Sequence, residues 1–145
     1  MVDFRLSEEQ VMIRDMAREF CDEEVSPNAE EWDRSGTYPL DAISKAHELG
    51  LLNVTIPEKY GGAGMSTVDE MIICEELSRG DPGFGTASYH TMLASLPILT
   101  GGTEEQVIKL YNQKLLLDLE VLAYRSSAGV VAFQLSNLKM WNVYP

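Results

Sequence analysis

Three glycines follow a proline and a tyrosine in the stretch IPEKYGGAG, at residues 56–64. A glycine-rich loop that cradles a phosphate needs G-x-G-x-x-G or G-x-x-x-x-G-K-[ST] spacing, where a strand leads into a helix. Gly61, Gly62 and Gly64 match neither spacing. Because glycine reaches positive φ without a Cβ clash, we expect this stretch to form a sharp turn rather than a nucleotide-binding loop.

The acidic clusters CDEE, AEEWD and CEEL could supply carboxylate ligands to a pair of metal ions in a helical bundle. That class of site needs a Glu-x-x-His motif on two helices. Ser44 lies three residues before His47, and Ala87 lies three residues before His90, so neither histidine completes the motif. We therefore predict no metal site and expect these acidic residues to lie on solvated faces.

A hydrolytic enzyme needs a nucleophile and a base that activates it. The sequence has no G-x-S-x-G motif, and Cys21 and Cys74 lie in no recognisable nucleophile motif. Two cysteines far apart in the sequence give no disulfide framework of the secreted type, so we expect reduced, mostly buried thiols. No catalytic residue is predicted from these patterns.

The most apolar segment of the chain, residues 84–99, contains His90 together with Thr86 and Tyr89. Buried polar groups need hydrogen-bond partners or a cavity, so this segment is where we expect a ligand. His47 lies at the edge of an apolar stripe, and we interpret it as an ordinary core or surface histidine.

Length and composition indicate one globular domain: 145 residues, of which 45% are hydrophobic and 23% are charged. The net charge of −12 repels phosphate backbones and anionic lipid surfaces, which argues against nucleic acid as a partner. The N-terminus has no basic and apolar leader pattern, and no apolar run reaches ~18 residues. We expect no membrane span, and a cytoplasmic protein or a mature form without its targeting segment.

Capping signals and apolar residues at helical spacing predict six helical segments that must position these residues. They run from about 7 to 25, from Pro27 to near Gly36, over 40–49, from Ser66 to the RGDPG break, over 84–99, and from Thr103 through VIKLYNQKLLL. In the first segment, Phe20 is predicted to be buried in a stripe with Met12 and Met16. The 84–99 segment is apolar all round, so we expect it to be buried on more than one face.

Two segments are predicted to be non-helical. LLNVTIP, at residues 51–57, has β-branched residues and a terminating proline, which predicts an extended conformation. The last thirty residues have β-prone side chains and no helix cap, which predicts short strands or irregular chain. The expected fold is mainly α, a bundle of about six helices over residues 1–114, with a divergent tail over 115–145.

Several stretches together resemble the N-terminal helical domain of the acyl-CoA dehydrogenases. DFRLSEEQ, the P-x-x…L-G-L module, IPEKYGGAG, EELSRGDPG and GTEEQ occur in that family's order over about residues 3–113. The resemblance implies a connecting turn at IPEKYGGAG. It also implies a flavoprotein that removes the α-proton and β-hydride of an acyl-CoA thioester and passes electrons from FAD to an electron-transfer flavoprotein.

The resemblance also implies positions for ligands. It places Thr86, Tyr89, His90 and Leu93 on the helix that lines the acyl pocket, and it places Tyr124 and Trp141 at the flavin. It further implies a homo-oligomer, located in the mitochondrial matrix if the protein is eukaryotic. In this family the catalytic glutamate comes from a carboxyl-terminal helical domain, so no catalytic residue is expected here.

The sequence departs from the family after Tyr124, where RSSAGVVAFQ stands in place of the family's T-E-P-x-A-G-S-D, and Val143 stands where a threonine is expected. We therefore expect an N-terminal fragment that is inactive by itself. The alternative is a non-enzymatic helical module that mediates interaction or oligomerisation through apolar surface.

Overall fold

The computed structural model describes residues 5–60 and 62–112 of the chain. These residues form six α-helices and no strand, which confirms the prediction of a mainly α fold. The predicted β-prone tail and the boundary at residues 114/115 lie outside the described residues. The helices are α1 (Glu8–Phe20), α2 (Ala29–Ser35), α3 (Leu40–Glu48), α4 (Thr67–Gly80), α5 (Pro82–Gly101) and α6 (Glu104–Asn112), with a π-helical turn (Cys21–Val25) after α1 and a 3₁₀ turn (Glu58–Tyr60) before α4.

Capping boxes begin three of these helices, in agreement with the capping signals in the sequence. Ser7 and Gln10 bond reciprocally at the start of α1, as do Ser66 and Asp69 at the start of α4. The side chain of Gln106 accepts a hydrogen bond from the Thr103 backbone N–H at 2.8 Å at the start of α6. Each box satisfies backbone donors that a helix start leaves free, so these boundaries are set by local sequence.

α4 lies at the centre of the packing, between α1 and α5. The core between these helices includes Phe20, which is 5% exposed as predicted, and Phe84, which is fully buried. Trp32 of α2 stacks on Phe84 with ring centroids 5.7 Å apart, so α2 is anchored to the bundle through this tryptophan.

In α1 and α5, some of the apolar residues that were predicted to be buried are exposed. Met12 is 71% exposed and Met16 is 37% exposed, so Phe20 reaches the core without them. On α5, Leu93 and Leu96 are 51% and 44% exposed, and the expectation that this helix is buried on more than one face is wrong for these positions. Periodicity identifies an apolar stripe but not how much of it a neighbouring helix covers.

The segment 51–57 is not extended. Asn53 has a φ of +58°, and the backbone N–H of Ile56 donates to the carbonyl of Asn53 at 3.1 Å, which makes a turn. The apolar side chains of this segment are buried in the core, so they serve packing rather than a sheet. Gly64 follows with a φ of +62°, as a sharp turn requires, and its N–H bonds back to the carbonyl of Ile56 at 2.8 Å.

An ion-pair network joins α1, the π-helical turn and α4. Arg18 donates to both carboxylate oxygens of Glu76, at 2.6 and 3.0 Å. Arg79 donates to Glu76 at 3.3 Å and to Asp22 at 2.6 Å. Glu76 is 6% exposed, so the expectation that the CEEL cluster is solvated is wrong for this residue. Its charge is buried because two guanidinium groups pair with it.

This network predicts a pH-dependent stability. The hydrogen bonds from Arg18, more than any other contact, hold the pKa of Glu76 below the ordinary glutamate value of 4.5. A lowered folded-state pKa stabilises the fold above the unfolded value, and this contribution is lost as the pH falls through the folded pKa. We therefore expect the urea midpoint of Glu76→Gln to lie below that of the wild type at neutral pH, and the gap to close from about pH 5 to about pH 3.

Glu75→Gln is the control for this titration, because Glu75 is an exposed neighbour on the same helix. Its midpoint is expected to follow the wild type at every pH. A gap for Glu76→Gln that stays constant down to about pH 3 would show that the carboxylate of Glu76 does not gain stability from its arginine partners.

α5, with 20 residues, is the longest helix in the described part of the chain. Neither it nor any other helix there is both long enough and apolar enough to cross a membrane.

Candidate functional site

A small cleft lies between the 51–54 segment, α4 and α5. Its cavity volume is about 20 Å³, which is room for about one water molecule. Both apolar and hydrogen-bonding side chains line it: Leu51, Leu52, Asn53, Val54, Glu70, Ile73, Cys74, Leu77, Ser88 and Tyr89. The cleft therefore brings buried polar groups to the inner side of the helix on which a ligand was expected.

α5 is held against α4 by features of its first turn. Asp81 ends α4 and also caps α5, because its carboxylate accepts hydrogen bonds from the backbone N–H groups of Gly83 and Phe84 at 2.9 and 3.1 Å. Pro82 occupies the first helical position, where a missing N–H costs nothing. As a result α5 begins two residues before the predicted start at 84. The lack of a side chain at Gly85 lets α5 approach Ser78 of α4.

Glu70 is the most unusual residue of the cleft. Glu70 is only 7% exposed, and burial raises the pKa of its carboxyl group above the ordinary glutamate value of 4.5. The hydroxyl of Thr55 lies 3.5 Å from both carboxylate oxygens and 3.1 Å from the sulfur of Met92. One hydroxyl hydrogen cannot be donated to three acceptors at once, so the carboxylate of Glu70 receives at most one weak hydrogen bond from Thr55.

Asn53 supplies a second buried acceptor. Its Oδ1 atom has no hydrogen-bond partner among the described residues, and it is the one buried side-chain N or O atom there in that condition. The left-handed conformation of Asn53, which asparagine tolerates better than most residues, fixes the backbone from which this side chain extends into the cleft lining.

Of the three predicted substrate contacts whose side chains the structure describes, one lies in the cleft. Tyr89 lines it, and burial raises the pKa of its phenol, with the charges of Glu70 and Cys74 adding to the effect. Thr86 is exposed and donates its hydroxyl to the carbonyl of Pro82 at 2.8 Å. Leu93 is half exposed. The side chain of His90 lies outside the described part of the structure.

The predicted flavin contacts, Tyr124 and Trp141, also lie outside the described residues. A cleft of about 20 Å³ does not fit a flavin ring, so this cleft is not the FAD site. Within residues 5–60 and 62–112, no group of three or more His, Cys, Asp or Glu side chains is placed to hold a metal ion. The two cysteines are free; Cys21 is buried, and Cys74 is partly buried. His47 is exposed.

Glu70 and Asn53 were missed by the sequence analysis. Helical spacing predicts an apolar stripe on α4 that includes Val68, Met71 and Leu77, but Val68 and Met71 are 57% and 43% exposed. The buried face of α4 instead carries Glu70, Ile73 and Leu77. This i, i+3, i+7 spacing was a usable signal for Glu70, whereas nothing in the sequence marked the orphaned atom of Asn53.

Comparison with known proteins gives concordant results. The family model described as "Acyl-CoA dehydrogenase, N-terminal domain" matches residues 7–113. Over 105 residues the chain is 43% identical to the probable medium-chain specific acyl-CoA dehydrogenase 2, mitochondrial, of Caenorhabditis briggsae, and the match covers 72% of this chain and 26% of that protein.

Solved structures agree with the sequence match. Butyryl-CoA dehydrogenase from Megasphaera elsdenii superposes with a TM-score of 0.71 at 29% identity, over 81% of this chain and 32% of that one. A chain in the structure of the electron transferring flavoprotein of Acidaminococcus fermentans superposes with a TM-score of 0.68 at 37% identity, over 76% of this chain and 29% of that one. The chain thus spans about a quarter to a third of the length of these relatives.

Proposed function

We propose a function from the premise that this chain belongs to the acyl-CoA dehydrogenase family, whose N-terminal domain model matches residues 7–113. The proposed role is to form the helical wall of the acyl-binding site in an FAD-dependent enzyme that oxidises acyl-CoA thioesters between the α and β carbons. The observation that carries it is the match of the six-helix fold and of most of the chain to this one domain.

The residues proposed to contact the acyl group are Thr86, Tyr89, His90 and Leu93. Their spacing of i, i+3, i+4 and i+7 puts them on one side of α5. Leu93 is 51% exposed, and an acyl chain lying along this side would cover its apolar surface, which is favourable at about 25 cal/mol per Å² buried. The arrangement suits an apolar acyl tail, because the binding of such a tail depends on apolar contact area and shape more than on charge.

The cofactor and partners are proposed at the level of the family. When bound, FAD would accept the hydride from the β carbon, and Tyr124 and Trp141 are the residues of this chain proposed to contact it. We propose an electron-transfer flavoprotein as the electron acceptor, which the match to a chain in such a structure supports. Location in the mitochondrial matrix or the cytoplasm is proposed on the same basis, with a mitochondrial relative supporting the former.

Interaction without catalysis is the competing function, and it has one supporting observation. Val68 and Met71 on α4, and Leu93 and Leu96 on α5, are large apolar side chains that are 43–57% exposed. Such surface marks interfaces, and a homo-oligomer of the enzyme would also use it. Two measurements together separate the two functions: sedimentation velocity for self-association, and photo-crosslinking with an acyl-CoA for substrate binding. A chain that self-associates but is not labelled by the acyl-CoA favours the interaction module.

Photo-crosslinking tests the proposed acyl site directly and also detects weak binding. An acyl-CoA that carries a diazirine at the end of a medium-length chain is irradiated with the protein, and the labelled peptides are identified by mass spectrometry. We expect the label within residues 86–93, with labelling suppressed by an excess of unmodified acyl-CoA. A label confined to α1, α2 or α3 would contradict the proposed site.

The crosslinking experiment has a matched pair of variants. Leu93→Asp puts a charge beside the proposed path of the apolar tail and is expected to reduce labelling by about tenfold, since stranding a charge against apolar surface costs at least ~1.4 kcal/mol. Leu49→Asp is the control, because Leu49 is 50% exposed and lies at the end of α3. Equal labelling of the two variants would remove Leu93 from the site.

A further inference from the structure

The α4–α5 cleft contains hydrogen-bond acceptors that no well-placed donor satisfies. The two carboxylate oxygens of Glu70 and the Oδ1 atom of Asn53 all belong to cleft-lining residues. Two nearby hydroxyls, those of Ser88 and Thr55, have other hydrogen-bond acceptors. Ser88 donates to the carbonyl of Gly85 at 2.8 Å, and Thr55 has one hydrogen for the Glu70 carboxylate and the sulfur of Met92. Among the described residues, Asn53 Oδ1 therefore has no donor, and the Glu70 carboxylate has only the long contact with Thr55.

A buried acceptor without a donor is costly. Leaving such a group unsatisfied costs about 1–3 kcal/mol, and more when the group is charged. Native proteins usually resolve this with an ordered water, which needs a polar site of about 10–15 Å³ and two or more partners. The cavity here, at about 20 Å³, has both the size and the partners, whereas a purely apolar cavity of this size would remain dry.

We propose that this cleft is a binding site for a single hydrogen-bond-donating group: a water, which donates to both Asn53 Oδ1 and the carboxylate of Glu70, or a hydroxyl, whose one hydrogen goes to that carboxylate. A hydroxyl is the chemistry that fits, because it is small and carries the hydrogen that the cleft lacks. Two sources can supply it: a buried water, or a hydroxyl at the far end of an acyl group. The second source rests on the proposed function, since Tyr89 belongs both to the cleft and to the proposed acyl contacts.

The first experiment counts buried water. Magnetic relaxation dispersion of water nuclei measures the number of long-lived internal waters, and the wild type is expected to hold about one more than Glu70→Leu. Leucine has a similar size but no acceptor, so only Asn53 Oδ1 remains as a partner, which is fewer than a buried water needs. Glu75→Leu is the matched control, because Glu75 lies on the same helix but is exposed, and it is expected to keep the wild-type count.

The second experiment distinguishes the two sources. A plain acyl-CoA and an ω-hydroxyacyl-CoA of equal length compete against the photo-crosslinking acyl-CoA. If the acyl hydroxyl enters the cleft, the hydroxylated competitor is expected to be about threefold to tenfold more effective, an advantage that Glu70→Leu abolishes. Equal competition, together with the loss of one water in Glu70→Leu, identifies water as the occupant.

Two results would overturn the proposal. One is an unchanged water count in Glu70→Leu together with equal competition by the two acyl-CoAs. The other is an infrared carbonyl band of a protonated carboxyl at neutral pH that disappears in Glu70→Gln, because Glu70 would then supply its own hydrogen to Asn53. If no acyl-CoA labels residues 86–93 but the water difference persists, the proposed function fails and the binding site stands.

Discussion

Phe84→Ala is expected to lower the free energy of unfolding by about 3–5 kcal/mol, which is a large part of the ~5–15 kcal/mol typical of a domain. Phe84 is fully buried and is the largest side chain in that condition among the described residues. Its ring stacks on Trp32 and lies 6.2 Å, centroid to centroid, from the tilted ring of Phe20. Truncation would leave a cavity where α1, α2 and α5 meet, and urea denaturation measures the loss.

Leu93→Ala is the control for this measurement. Leu93 lies on the same helix but is 51% exposed, and substitutions of exposed residues usually change stability by less than about 0.5 kcal/mol. If the two variants lost similar stability, α5 would be rotated about its axis, with Leu93 in the core. The comparison therefore tests the register of α5 as well as the contribution of one ring.

The parts of the fold that the sequence predicts are those with local causes. The capping boxes at Ser7 and Ser66 involve residues three positions apart, so they can be recognised in the sequence without any knowledge of the fold. The burial of Phe20 follows from the helical periodicity of α1. The exposure of Met12 does not, because it depends on which face of α1 packs against α4. The contacts of Gln10 with Asp69 and of Ile13 with the core put Met12 outside that face.

The parts of the site that escaped prediction have non-local causes. Arg18 and Glu76 are 58 positions apart in the sequence, so no spacing rule pairs them, and the burial of the Glu76 charge depends on this pairing in addition to the local one with Arg79. The turn at Asn53 arises because the apolar residues of its segment enter the core. The cleft itself is a gap between three elements. Its orphaned acceptor becomes visible only when the hydrogen bonds around it are counted.

The close approach of α4 and α5, on which the cleft depends, rests on a glycine. A Cβ atom at Gly85 would overlap the hydroxyl of Ser78 and would lie 2.8 Å from its Cβ and 2.9 Å from its Cα. Real Cβ atoms essentially never approach other heavy atoms to below 3.0 Å. Rotation of the Ser78 side chain relieves only the first of these overlaps, so the two helix backbones would have to separate.

Gly85→Ala is therefore expected to destabilise the fold by about 1–3 kcal/mol, the range for overpacking a well-packed interior, although alanine is intrinsically the better helix former. Gly101→Ala isolates that intrinsic gain, because Gly101 ends the same helix and a Cβ there meets nothing within 4 Å. This control is expected to be neutral or up to ~1 kcal/mol more stable. Opposite signs for the two variants would attribute the loss at position 85 to the packing of α5 against α4.

A second substitution then locates the clash. Ser78→Gly removes the two side-chain atoms that meet the added methyl group, so the loss in the Gly85→Ala, Ser78→Gly double variant should be smaller than the sum of the two single losses by more than about 0.5 kcal/mol. Recovery should be incomplete, because the backbone of residue 78 would still lie 2.9 Å from the added methyl group. Urea denaturation of the wild type, the two single variants and the double variant measures these losses. Strictly additive losses would mean that Gly85 is required for something other than its packing against Ser78. They would also mean that α4 and α5 do not approach as closely as the cleft geometry requires.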